Sequence, residues 1–180
     1  LITRILLASR ERPDYFRVFY WRRSLRIFPL YFLVLGIAFA SDPERRGWLP
    51  WYALYGVNFF RGELPATIGG WTFSHFWSLC VEEHFYLVWP FVIRWVRRDQ
   101  LLRVIVGMAV GSLLVRLVMT EMFIPGEFVS RNSLCRFDSI ALGSAIVVLP
   151  WGASEYRKIF SVATIILVPL LIVLDPLLPL

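Results

Sequence analysis

Cysteine and histidine are scarce in this chain, with two of each among 180 residues. Cys80 and Cys135 have neither a metal-ligand spacing nor enough partners for a disulfide framework, so a zinc module and a disulfide-stapled scaffold are excluded and no metal site is expected. Lysine is nearly absent, since every basic residue except Lys158 is arginine. No G-x-S-x-G elbow, Walker loop or H-E-x-x-H occurs, which removes the common hydrolase, P-loop and zincin chemistries. Internal repeats, low-complexity tracts and flexible linkers are also missing. The apolar runs lack the period-2 alternation of a membrane barrel strand.

What remains is strongly apolar. Hydrophobic residues make up 58% and aromatics 17%, with long apolar runs at 27–40, 101–115 and 159–174. Such runs read as a polytopic membrane protein. In hydrocarbon the backbone must pair within each segment, so helices are favoured and the fold class is all-α: a membrane helical bundle of about four spanning helices, a partial N-terminal one and a possible re-entrant segment. The net charge is +6, from 19 basic and 13 acidic residues. The arginines sit between apolar segments, the pattern that orients helices in a bilayer, so membrane lipid is the expected partner and nucleic acid is not.

Residues 1–8 read as the end of a helix. The chain opens at Leu1 without a Met and stops at Leu180 in another apolar run. Residues 1–180 are therefore expected to be part of one transmembrane domain truncated at both ends. Residues 9–26 mix Arg10, Arg12, Arg17, Arg22, Arg23 and Arg26 with aromatics, as at a cytoplasmic headgroup boundary. The helix entering there is expected to reach Ala40, with a bend near Arg26 caused by Pro29. Residues 41–50 form a polar loop. Residues 51–60 are too short to cross comfortably, and Gly62, Pro65, Gly69 and Gly70 should break regular structure before Trp71, so 48–76 either spans or re-enters. Re-entry puts Arg94, Arg97, Arg98 and Arg103, together with Arg157 and Lys158, on the inner side with the first cluster, and the excess of inner arginine favours it. Helices are then expected at Trp77–Val96, Leu101–Met122 and Ile140–Leu149.

The stretch from Trp77 to Pro90, W-S-L-C-V-E-E-H-F-Y-L-V-W-P, puts two carboxylates and a histidine into an apolar aromatic run. Ionisable residues at membrane depth are costly and mark functional sites by default. On a helix, Glu82 shares a stripe with Leu79, Phe85, Tyr86 and Trp89, while Glu83 lies about 100° away beside Cys80 and Leu87. That geometry predicts unequal roles: Glu82 in a packed aromatic face, paired with a cation such as Arg116, and Glu83 facing a cavity. Structural ion pairing is an alternative reading for both. Arg23 and Arg26 share a face that Arg22 can join, a cluster suited either to phosphate or to plain membrane anchoring. Arg136 is a second cation available to the carboxylates. With Asp138 and Gly143 it stands at the mouth of a short helix.

The motif W-S-L-x-V-E-E-x-F-Y-L-x-W-P resembles the central motif of the acyltransferase 3 family, integral membrane O-acyltransferases. R-R-S-L-R-I-F-P-L-Y at 22–31 and R-F-D-S-I-A-L-G at 136–143 resemble two further segments of that family, in the same order. The resemblance covers the whole chain but about half of the family's usual length, and His84 stands where the family usually has Gln. It implies an enzyme of a bacterial inner (cytoplasmic) membrane, multi-pass, moving an acyl group from cytoplasmic acyl-CoA to a hydroxyl of a glycan, peptidoglycan or secondary-metabolite acceptor. The acyl-CoA, most simply acetyl-CoA, would be a co-substrate, with no bound cofactor. The donor-binding residues implied are Arg22, Arg23 and Arg26, the catalytic candidates are Glu83, Glu82 and His75, and Trp77, Arg136 and Asp138 are further polar-site candidates. The family's catalytic histidine is expected on a first membrane helix outside this chain. The alternative is a transporter or flippase-like protein, in which broken helices and intramembrane charges form a path without covalent chemistry.

Overall fold

The computed structural model describes residues 2–148, and it is mostly helical. The apolar run at 27–40 lies in α2 (Tyr15–Ser41) and the one at 101–115 in α5 (Leu101–Glu121), 27 and 21 residues long. At 1.5 Å per residue they extend about 40 and 31 Å. Both are long and apolar enough to cross a membrane. Only 22% and 17% of their apolar stretches are buried. Phe28, Leu33 and Ile37 on α2, and Val106, Val110 and Leu114 on α5, point outward. The core helix of a water-soluble protein would bury that surface instead.

Of the four expected spanning helices, these two meet the test of length and apolarity. The helix expected at Trp77–Val96 is α4 (Phe76–Trp95), whose 20 residues are long enough but include Glu82, Glu83, His84 and Arg94. A six-residue α6 (Gly126–Arg131) precedes the last described helix, α7 (Phe137–Val148), which has 12 residues, about 18 Å. A short α1 (Ile2–Ser9) opens the described chain. Arg157, Lys158 and the run at 159–174 lie outside the described residues.

Helices α2 and α4 run antiparallel, and the pairing can be followed residue by residue. Tyr15 Oη donates to the Pro90 carbonyl at 3.0 Å and Tyr20 Oη to the Leu87 carbonyl at 2.8 Å. Arg23 then reaches Glu83, and the Tyr31 ring lies 5.5 Å from that of Phe76. Pro29 and Pro90 lie inside these helices without ending either.

No helix spans residues 51–60. A five-residue α3 (Leu49–Ala53) ends two residues before Tyr55, which takes a left-handed conformation at φ 56°, and a 3₁₀ turn follows at Gly56–Phe59. The glycines expected to break all regular structure instead build a small antiparallel hairpin, β1 (Thr67–Ile68) with β2 (Trp71–Thr72), so the described fold is not purely helical. Gly69 and Gly70 both have positive φ (56° and 79°), as a two-residue primed turn requires. The turn is seated on the end of α2: Gly69 N–H donates to Asp42 Oδ2 at 3.1 Å, and a Cβ on Gly69 would collide with the Ala38 carbonyl and Ser41 Oγ.

Two apolar cores result. Near the hairpin, Tyr31, Leu35 and Phe39 of α2 pack with Tyr52, Phe73 and Cys80. Toward the other end, Leu6, Tyr15, Phe85, Trp89, Ile105 and Ala141 join α1, α2, α4, α5 and α7. A buried hydrogen-bond chain crosses this second core, from Trp89 Nε1 to Thr3 Oγ1 and from Thr3 Oγ1 to Ser144 Oγ, each 3.0 Å. Small side chains on α7, Ala141, Ser144 and Ala145, allow the close approach that helix pairs in apolar surroundings need.

Candidate active site

The two adjacent glutamates of α4 meet different surroundings, as their 100° separation requires, but the assignment is the reverse of the expected one. Glu83 is the paired, half-buried carboxylate. Its Oε1 lies 2.6 Å from Arg23 Nη2 and its Oε2 3.3 Å from Arg23 Nε, a two-pronged contact with side-chain exposures of 13% and 14%. The same guanidinium lies 3.3 Å from the ring centre of Tyr86, one turn further along α4. Arg23 is thus held by a carboxylate in its plane and an aromatic ring on its face, a geometry that lysine cannot reproduce. The expectation that Glu83 faces a cavity fails because α2 covers that side of α4.

Glu82 is exposed, and its nearest polar partner is Tyr86 Oη at 3.5 Å. It lines a cavity of about 580 Å³ with Arg23, Arg26, Tyr86 and Ser144. Phe85 and Trp89 on the same stripe are buried as expected; Glu82, one turn earlier, emerges from the packed face. Arg116 does not pair with it. Arg116 Nη2 lies 2.8 Å from Asp138 Oδ2 and also donates to the Cys135 carbonyl, tying α5 to the start of α7.

The three arginines grouped by sequence divide in the same way. Arg22 and Arg26 are exposed, and among the described residues neither has a carboxylate within ion-pair distance. All three line a second cavity of about 250 Å³ with Arg12, Tyr15 and Ser9. Arg23 and Arg26 border both cavities, so cationic groups stand at the junction between them.

His75 is not brought to the carboxylates. It precedes α4, exposed, and its backbone carbonyl caps the turn by accepting from Ser78. Its separation from Glu82 is seven residues, about 10 Å of helix rise. Asp138 accepts from Arg116 and from the Ser139 N–H and hydroxyl. Arg136 is separated from it: its guanidinium lies over the Trp77 indole, 5.7 Å from the ring centre, and its Nε donates to the Ser130 carbonyl.

Sequence reasoning missed a buried polar knot beside this site. Ser133 Oγ lies 2.7 Å from His84 Nδ1 and 3.0 Å from Asn58 Nδ2, and Asn58 also donates to the Trp77 carbonyl at 2.9 Å. Asn58 and Ser133 are fully buried. The available signal was Asn58 within the otherwise apolar Y-G-V-N-F-F, an amide that must find partners once buried. Arg131 was missed as well; it is 9% exposed, and its Nη2 donates to the Phe60 and Gly62 carbonyls at 2.9 and 2.6 Å. Burial lowers its pKa from the ordinary guanidinium value. No group of three or more His, Cys, Asp or Glu side chains that could hold a metal comes together among the described residues.

Two long outward-facing apolar helices, an arginine–carboxylate pair between α2 and α4 and two cavities meeting at Arg23 and Arg26 define a helical protein of membrane type with a charged site. Known sequences narrow the class. The chain is 28% identical, over 73% of its length, to the peptidoglycan O-acetyltransferase OatA of Listeria monocytogenes serovar 1/2a, and it spans about a quarter (24%) of that relative. No family model and no solved structure matches the chain. The similarity relates the chain to an O-acetyltransferase.

Proposed function

We propose that the chain is part of a multi-pass membrane O-acyltransferase of the acyltransferase 3 type, moving an acetyl group from acetyl-CoA to a hydroxyl of a glycan. The observation that carries this reading is the division of labour around Arg23, which Glu83 and Tyr86 immobilise while Arg26 and Glu82 stay unpaired on the walls of two adjoining cavities. The similarity to a peptidoglycan O-acetyltransferase supports the reaction class.

In this reading Arg22 and Arg26 bind donor phosphates from the smaller cavity, where charge-assisted contacts to forked donors are strongest. The thioester extends past Arg23 into the larger one. There Glu82 accepts a hydrogen bond from the acceptor hydroxyl and orients it. The hydroxyl oxygen attacks the thioester carbonyl carbon, the C–S bond breaks, and the hydroxyl proton ends on the CoA sulfur; the base that carries it is the histidine expected outside this chain. Glu83 acts as a positioning residue for Arg23. The bacterial inner membrane, with the arginine-rich end cytoplasmic, gives donor and acceptor opposite approaches.

Membranes carrying the full-length protein, incubated with radiolabelled acetyl-CoA and candidate glycans, should transfer label in a protein-dependent way. Uptake of glycan without transfer would instead identify a transporter. Arg26→Ala should raise the KM for acetyl-CoA by roughly 10- to 100-fold, the worth of one charge-assisted contact, with normal insertion. Parental donor dependence in that variant would remove Arg26 from the donor site.

A further inference from the structure

A third cavity opens at the hairpin end of the molecule, beyond the first turn of α4, with a volume of about 510 Å³, in the range of sites for small ligands. Trp77 contributes a partly exposed indole, Arg131 a buried guanidinium, Glu63 and Glu127 exposed carboxylates, and Ser74 and Ser130 exposed hydroxyls. Two features separate it from the arginine-lined cavities. Its lining charge is negative, with two carboxylates against one arginine, which disfavours the phosphates of an acyl-CoA. It also carries an indole, Trp77, which neither arginine-lined cavity has, while its Arg131 is fixed by donating Nη2 to two loop carbonyls.

We propose that this cavity binds a neutral hexopyranose unit of the acceptor glycan. A sugar ring has an apolar C–H face and a rim of hydroxyls, each both donor and acceptor. Trp77 supplies the flat surface for the face, Ser74 and Ser130 hydroxyls that can donate and accept, and Glu63 and Glu127 acceptors for hydroxyl protons. The site is stiff where it must be: Asn58 Nδ2 holds the Trp77 carbonyl, and Arg136 lies over the indole. Trp77 precedes Glu82 by five residues on the same helix, about 7.5 Å of rise and about 140° of turn, so the two side chains line different cavities on different faces of α4, and a sugar on the indole is a separate subsite from the carboxylate. The inference rests on the O-acyltransferase reading for the word acceptor, but sugar binding itself does not require it.

The test is direct binding to the full-length protein in lipid nanodiscs, with chitotetraose as the neutral sugar and spermidine as a cationic competitor for the carboxylates. Glu127→Gln changes an exposed side chain with no side-chain hydrogen bond among the described residues, so it should not disturb folding; Trp77→Ala removes the platform. The expected result is binding of chitotetraose, weakened roughly tenfold by each substitution, the loss of one good contact. In acyl transfer, the same variants should raise the acceptor KM and leave the acetyl-CoA KM at the parental value. Equal sugar affinity in parent and both variants, no sugar binding at millimolar concentration, or binding of spermidine in place of sugar would each overturn the proposal. Sugar binding that depends on both residues in a protein that transfers no acyl group would leave the cavity as a sugar site and refute the acyltransferase reading alone.

Discussion

At the scale of single residues, the adjacent glutamates show how far a helical wheel can be taken. It separates Glu82 from Glu83 but cannot say which side α2 will cover. Aromatic neighbours made Glu82 look packed, yet Phe85 and Trp89 bury that stripe only from the second turn onward, while the long Arg23 side chain reaches across to Glu83. The consequence is measurable. Glu83→Gln leaves a largely enclosed guanidinium without its counter-charge, which costs up to about 3 kcal/mol, the low end for a buried pair, so the amount of folded protein in the membrane should fall. Glu82→Gln should leave that amount near the parental level and lower acyl transfer. A joint Arg23→Met, Glu83→Leu replacement should recover much of the folded protein without activity. Gel quantification of inserted protein beside label transfer separates these outcomes, and the opposite assignment would return the catalytic role to Glu83.

At the scale of elements, the long helices were legible because apolar length is written directly in the residues: α4 and α5 begin and end within one residue of their sequence-based bounds, and α2 ends one residue past Ala40. The stretch between α2 and α4 was not. Its order comes from tertiary partners, namely Asp42 under the Gly69 N–H, Arg131 under the carbonyls of Phe60 and Gly62, and Ser133 between Asn58 and His84. Those contacts span tens of residues and leave no periodic trace. The two turn glycines allow a clean check. Both have positive φ, but only Gly69 is pressed against α2, whereas the space around Gly70 is open. Gly70→Ala should cost about 1 kcal/mol of backbone strain, and Gly69→Ala clearly more, because the clash is added to the strain. Thermal unfolding in detergent should rank the parent above Gly70→Ala and Gly70→Ala above Gly69→Ala.

At the scale of the whole molecule, antiparallel α2 and α4 sort the charges. Arg10 and Arg12 lie at the end where Arg10 donates to the Arg94 carbonyl, and the hairpin with the 510 Å³ cavity lies at the other. Glu44 and Arg98 are exposed at opposite ends, so single cysteines there report orientation in a background lacking Cys80 and Cys135. In intact cells Glu44→Cys should react with an impermeant thiol reagent and Arg98→Cys should be protected, as the excess of arginine at that end requires. Reaction at residue 98 would invert the proposed orientation and with it the donor and acceptor sides.

The stepwise pairing of α2 with α4 also makes the pair behave like a vernier. Tyr15, Tyr20, Arg23 and Tyr31 each find their mark only while the number of residues between them is kept, because one extra residue turns everything beyond it by about 100° and advances it by 1.5 Å. Changes of residue type disturb one mark; a change of count disturbs every later one. A single alanine inserted after Tyr20 should therefore swing Arg23 off Glu83 and abolish both folded protein and transfer, whereas the same alanine inserted after Glu44, beyond the last mark, should be tolerated. Side-by-side expression and transfer assays of the two insertions would read out that phase: chain length between Tyr15 and Tyr31 is held more tightly than the identity of most residues within it.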